Sequence, residues 1–252
     1  SYITKLKKNY KNIYIRINAE KSRFYKKDIL CLKKNLSEKS INGIFVPKTE
    51  KYETLLKINK ILKLKKKKIK LIPIIENKIG YKNLDNILFN DKEKNLIYGI
   101  HYGHFDYCLN NKLWPYPEPY HKDFWKIIFP IIEKCIKYKK KFIQTPFPLV
   151  NSPDLFYKSI HFMHKKFKNL DFALSLVNFD NRFFKKKIKV KNNLKPKNMS
   201  KEKLYKIKFA NKIISNYLAS KKTKKSFSLS NKRFIPPHQF VSAKFYLRRY
   251  EK

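Results

Sequence analysis

Glycine is nearly absent from this chain, with four residues among 252 (Gly43, Gly80, Gly99 and Gly103). That scarcity excludes a glycine-rich loop cradling phosphate on backbone N–H groups. Cysteine is equally thin: Cys31, Cys108 and Cys135 lie far apart and are odd in number. They form neither a disulfide framework nor a paired-cysteine metal clip, which fits a reducing interior. No run of eighteen apolar residues exists, so no α-helical membrane span is expected. The opening SYITKLKKNYKN is basic and lacks an apolar signal core. A soluble, cytoplasmic protein is the expectation.

Acidic residues are scarce too: 18 Asp+Glu stand against 61 Lys+Arg, a formal charge of +43. A charge of this sign and size points to a polyanion as partner. Only six of the basic residues are arginines, however, and the other 55 are lysines. Lys, Asn, Ile, Phe and Tyr, all abundant here, share A/T-rich codons, whereas Gly and Ala need G or C. An A/T-biased coding sequence therefore accounts for the lysines without any partner. A surface evolved to read nucleic acid carries arginine, whose planar fork binds phosphate and guanine bidentately. Nucleic acid is the disfavoured partner. Hydrophobic residues at 42% and aromatics at 15% exclude a disordered tail, and the length suits one large domain, 1–252.

Six short apolar runs recur: Ile13–Ile17, Ile44–Val46, Ile69–Ile75, Leu96–Ile100, Phe142–Phe147 and Phe172–Phe179. Both faces of each run are apolar, as in strands buried on two sides. Between them lie Lys-rich segments with helical spacing: Tyr25–Leu36, Lys48–Leu64, Leu84–Phe89, Asp123–Lys139 and Asp154–Lys168. Strand alternating with helix is the pattern of a parallel α/β sheet or barrel. The dense run Lys60–Lys70 reads as the solvated end of a helix entering the next strand. Residues 184–201 read as an exposed basic loop, and 202–252 as a C-terminal helical extension containing an amphipathic helix at Leu204–Leu218.

Two carboxylates stand just past consecutive expected strands, where barrel enzymes place their chemistry. Glu76 closes LIPIIE and Asp106 follows in YGIHYGHFD. Hard cations take a few carboxylate oxygens and keep several waters, so the pair is a candidate metal site; the plainer alternative is capping or ion pairing with lysine. Arg16, at the end of the first run in IYIRIN, is a candidate for holding a substrate carboxylate, with a structural ion pair as the alternative. Asn18 and Gly103 are counted with it as candidate substrate contacts. His104 is an acid/base candidate, His101 reads as structural, and His238 in IPPHQF could reach the site from the C-terminal segment. All four glycines fall in the segments NGIFVPK, IENKIG and YGIHYGHFD. A chain that keeps so few is expected to keep them where a side chain would spoil the backbone.

The segments NIYIRIN, NGIFVPKTE, KLIPIIENKIG and IYGIHYGHFD, in that order, resemble the citrate lyase β-subunit and the related malyl-CoA lyases and hydroxy-oxo-acid aldolases. KRFIPPHQFVSAKFYL resembles a late segment of the same family. The likeness is good over roughly the first half of the chain and loose over the second. It implies a TIM (β/α) barrel, here incomplete: six strands are countable where eight are expected, and the family's first two acidic and arginine-bearing strands have no counterpart. It implies Mg²⁺ (or Mn²⁺) held by Glu76 and Asp106, with Arg16 on the substrate. The implied activity is that of a carbon–carbon lyase or aldolase acting through a metal-stabilised enolate on a small acidic 2-oxo acid or CoA thioester. Such enzymes are expected as homo-oligomers. The alternative is a degenerate barrel serving as a basic structural or RNA-binding protein. WPYPEP (Trp114–Pro119), TPFPLVNSPD (Thr145–Asp154) and NFDNRF (Asn178–Phe183) match nothing in the family and are expected as altered loops at the barrel mouth.

Overall fold

A computed structural model describes residues 12–37, 41–149, 152–173, 193–221, 228–230 and 233–249. The elements in chain order are β1 (Tyr14–Arg16), α1 (Tyr25–Asn35), β2 (Gly43–Val46), α2 (Tyr52–Leu62), a single turn α3 (Leu64–Lys67), β3 (Lys70–Ile75), α4 (Lys78–Asn90), β4 (Gly99–Tyr102), α5 (His104–Asn110), α6 (Lys122–Lys137), β5 (Lys141–Ile143), α7 (Pro153–Lys166), β6 (Phe172–Ala173), α8 (Lys203–Lys221), β7 (Ser228–Ser230), β8 (Arg233–Ile235) and α9 (Pro237–Leu247). The chain divides into two compact units. The first holds residues 1–103, 131–143 and 171–173; the second holds 104–130, 144–170 and 174–252.

The first unit carries a six-stranded parallel sheet in strict sequence order, β1 to β6. Strands following one another in order, with helices between them, are the incomplete TIM barrel that the resemblance implied. Register then assigns the faces. Arg16 pairs with Phe45, Phe45 with Ile72, Ile74 with His101 and His101 with Ile143. Side chains alternate along a strand, so Arg16, Phe45, Ile72, Ile74, His101 and Ile143 share one face. Tyr14, Gly43 and Gly99 belong to it as well. The opposite face carries Ile44, Val46, Leu71, Ile75, Ile100, Tyr102 and Phe142, all of them buried. Helix α1 buries Tyr25, Ile29 and Leu32 at helical spacing and turns its lysines outward. Helix α2 likewise buries Leu55, Ile58 and Leu62.

The glycines serve close approach. None has a positive φ, whereas Lys48, Lys63, Lys68, Asn95, Lys112 and Lys139 do. A Cβ on Gly80 would lie 2.3 Å from the Thr49 carbonyl oxygen, one on Gly99 would lie 2.5 Å from that of Lys141, and one on Gly43 would meet the Tyr14 ring at 3.0 Å. Left-handed corners that usually take glycine are taken by lysine and asparagine, at a cost of about 1 kcal/mol each.

β4 corrects the expected strand. Leu96–Ile100 was expected, but Ile97 makes only an isolated bridge to Leu71, and the ladder runs from Gly99 to Tyr102. His101 is thus a strand residue. His104 opens a helix that the sequence pattern does not announce, and Asp106 stands in that helix's first turn. The expected strand from Phe172 is described only to Ala173. The first half of the expected loop 184–201 (184–192) and all of Asn178–Phe183 lie outside the described residues.

In the second unit α8 packs on α9, and α9 on α5. Ala210, Ile213, Tyr217, Ile235 and Ala243 form its buried cluster, with the Tyr217 and Phe240 rings stacked at 4.6 Å. The stretch Pro115–Pro119 is buried rather than an open loop. Trp125 Nε1 donates to the Pro119 carbonyl at 2.7 Å, and Tyr116 Oη to that of His238 at 3.1 Å. All three cysteines are free thiols. No helix among the described residues is long and apolar enough to cross a membrane.

Candidate active site

Glu76 follows β3 directly and, by alternation, continues the face of Ile72 and Ile74. It is only 3% exposed. Its Oε1 accepts a hydrogen bond from the Lys48 backbone N–H at 2.9 Å. Lys48 presents that N–H from a left-handed conformation (φ 51°), in which a non-glycine residue is uncommon. The loop after β2 is pinned around it. Thr49 donates its N–H to the Ile74 carbonyl and its hydroxyl to that of Val46. Glu50 accepts from Asn77 Nδ2 at 2.8 Å, and Asn77 caps α4 by accepting from Gly80 N at 2.8 Å. The segments NGIFVPKTE and IENKIG thus interlock at the C-terminal ends of β2 and β3.

Gly103 belongs to the same construction. Its N–H donates to the Ile75 carbonyl at 3.0 Å. A Cβ there would lie 2.6 Å from the Glu76 Cβ and 2.8 Å from Oε2. Any side chain would displace the carboxylate, so this glycine makes room for Glu76.

Arg16 is exposed at the end of β1. Across the sheet on the same face, His101 packs edge-on against the Phe45 ring at 5.7 Å. Burial first, and the Arg16 charge second, lower the His101 pKa to about 4; its Nδ1 is buried with no hydrogen-bond partner. From sequence His101 reads only as structural. Its parity with Gly103 along one strand is the available signal, hidden by the displaced strand boundary. Asn18 is tied elsewhere: its backbone N–H and its Nδ2 both donate to Asp28 Oδ2, at 2.7 and 2.8 Å, fastening the end of β1 to α1.

In the second unit His104 is buried, its ring edge-on to Phe124 at 5.3 Å and to Tyr116 at 6.1 Å. Cys108 Sγ lies 3.6 Å from its Nδ1. Burial lowers its pKa to about 4, so this imidazole is neutral in the core. Asp106 Oδ2 lies 3.2 Å from His238 Nε2. Gln144 Oε1, Thr145 Oγ1 and Gln239 Oε1 are buried polar atoms without partners. Among the described residues no group of three or more His, Cys, Asp or Glu could hold a metal ion. Magnesium asks for fewer, commonly one or two carboxylates completed by water and substrate oxygens.

Known structures share the fold. A malate synthase of Haloferax volcanii, solved as a pyruvate/acetyl-CoA ternary complex, matches with TM-score 0.62 at 9% identity, over 96% of this chain and 74% of its own. A citrate lyase of Burkholderia xenovorans matches with TM-score 0.54 at 11% identity, over 94% and 71%. The CitE protein of Mycobacterium tuberculosis, solved with magnesium and pyruvate, matches with TM-score 0.52 at 12% identity, over 76% and 72%. Among curated proteins no sequence matches. The profile of the HpcH/HpaI aldolase/citrate lyase family matches residues 3–158, well over half of the sequence. With that span matched and the barrel strands in family order, the chain belongs to the HpcH/HpaI aldolase/citrate lyase family.

Proposed function

We propose that this chain is a divalent-metal-dependent carbon–carbon lyase or aldolase acting on a small 2-oxo acid or acyl thioester. The observation that carries the reading is Glu76: a buried carboxylate at the C-terminal end of a barrel strand, gripped by the Lys48 N–H and given space by Gly103. Leaving a carboxylate buried is costly unless its partners hold it, and here a strained backbone residue and a glycine are both committed to it. Family membership, and a structural neighbour solved with magnesium and pyruvate, point the same way.

Glu76 and Asp106 each offer Mg²⁺ or Mn²⁺ a carboxylate, whose oxygens are the hard donors such ions take. When bound, the ion supplies Lewis-acid stabilisation of negative charge developing on a carbonyl oxygen. Arg16 supplies a permanent cation for the substrate carboxylate. His101, uncharged above about pH 4, leaves that guanidinium without a second charge beside it. Gly103 preserves the orientation of Glu76. His104, neutral and enclosed by aromatic rings, receives no proton-transfer step in this reading.

The test is Glu76→Gln, which keeps shape and removes charge. Pyruvate release from a 4-hydroxy-2-oxo acid, followed with and without Mg²⁺, should fall by about 10²-fold or more, the loss typical of removing one electrostatic element of a site. Undiminished metal-dependent turnover would rule the assignment out.

A further inference from the structure

The C-terminal segment IPPHQF enters the second unit beside Asp106. His238 and Asp106 occupy the first turns of α9 and α5, helices that pack on each other. His238 Nε2 lies 3.2 Å from Asp106 Oδ2, and the two side chains are 32% and 27% exposed. The His238 ring and its backbone are each held by a neighbour. The ring lies near-parallel to Phe105, at 20° with centroids 6.5 Å apart. The His238 carbonyl accepts from Tyr116 Oη at 3.1 Å, and that hydroxyl shares a 2.8 Å bond with Ser242 Oγ, one turn along α9. Phe105 also touches Phe234 of β8, whose N–H donates to the Pro148 carbonyl at 2.8 Å. His238 Nδ1 is buried without a partner. A proton there would be an orphaned buried donor, which folded proteins rarely tolerate. The proton therefore belongs on Nε2, where it donates to Oδ2.

We propose that His238 is a positioning residue for Asp106, holding its carboxylate in one orientation for a divalent cation. The inference rests on the metal reading of Asp106 proposed above. It also accounts for the placement of IPPHQF. The His238 ring, set against Phe105, restricts rotation of the Asp106 carboxylate about χ1 and χ2. Groups that orient a metal-ligating side chain commonly contribute 10–100-fold to metal affinity.

The test uses the full chain and Mn²⁺ alone as probe, with free Mn²⁺ read by electron paramagnetic resonance, so that turnover plays no part. His238→Ala should weaken Mn²⁺ binding about tenfold or more, while His238→Gln, which keeps an N–H donor at the same reach, should restore most of it. If His238→Ala unfolds, His238→Phe preserves the stacking on Phe105 without a donor and should show the same loss. Mn²⁺ binding to the Ala and Phe variants as tight as to the parent, or tighter, overturns the inference, because His238 would then be competing for the carboxylate. Glu76→Gln and Asp106→Asn separate the two readings. If both leave Mn²⁺ binding intact, the metal reading fails and this inference with it. If both abolish binding while His238→Ala and His238→Phe are silent, only the role of His238 fails.

Discussion

His101 makes the protein acid-sensitive in a calculable way. Its folded pKa is about 4 against an ordinary 6.5, with burial as the larger cause and the Arg16 charge as the second. A depressed folded value means that the neutral ring is favoured by the fold. Its contribution is therefore fully present above pH 6.5 and is lost as the pH falls towards 4. The gap corresponds to about 3 kcal/mol in full, of which about 2 kcal/mol is already lost at pH 5. Other groups titrate over the same range, so the measurement is a difference of differences. Urea unfolding of the parent and of His101→Phe at pH 7 and pH 5 should show a pH-dependent loss about 2 kcal/mol greater in the parent. Phenylalanine suits the test because it keeps the edge contact with Phe45 and removes the unpartnered Nδ1. In parallel, the imidazole NMR signal of His101 should titrate near pH 4, and Arg16→Gln should raise that midpoint without restoring it fully. A midpoint at the ordinary histidine value, or equal pH losses in parent and variant, would refute the reasoning. A midpoint indifferent to Arg16→Gln would separate that guanidinium from the inner face of the sheet.

Two further substitutions probe the first unit. Gly103→Ala places a methyl group 2.6 Å from the Glu76 Cβ; activity should fall at least tenfold while the unfolding midpoint moves modestly, and full activity would show that Glu76 tolerates displacement. Lys140→Ala strands Asp91, whose carboxylate is fully buried and lies 2.7 Å from Lys140 Nζ. Tyr52 and the N–H groups of Leu96 and Ile97 remain as donors to it, so the expected loss is about 3 kcal/mol, the low end for a broken buried pair. A loss under about 1 kcal/mol in urea unfolding would mean that the pair is solvated.

Much of this architecture can be read from local pattern. The run IKLIPII is apolar on both faces, as in a strand covered on two sides. The helices at Tyr25 and Asp154 could be placed because their lysines repeat at helical spacing around an apolar stripe. Glu76 could be picked out because eighteen carboxylates in 252 residues leave few candidates for the end of a strand. The retention of four glycines in three segments signalled backbone crowding before any contact was known.

What the sequence determined by itself is the alternation of strand and helix, and with it the family's barrel order, because periodicity is a property of neighbouring residues. Only the tertiary structure decided which atoms meet. It moved β4 from Leu96–Ile100 to Gly99–Tyr102, turned HFD into the start of a helix, and put His101 on the face of Arg16. It also bound Asn18 to Asp28, enclosed His104 in aromatic rings and brought His238, from far along the chain, onto Asp106. Those outcomes depend on register and on long-range packing, and a difference of one residue in register reverses which face every side chain occupies.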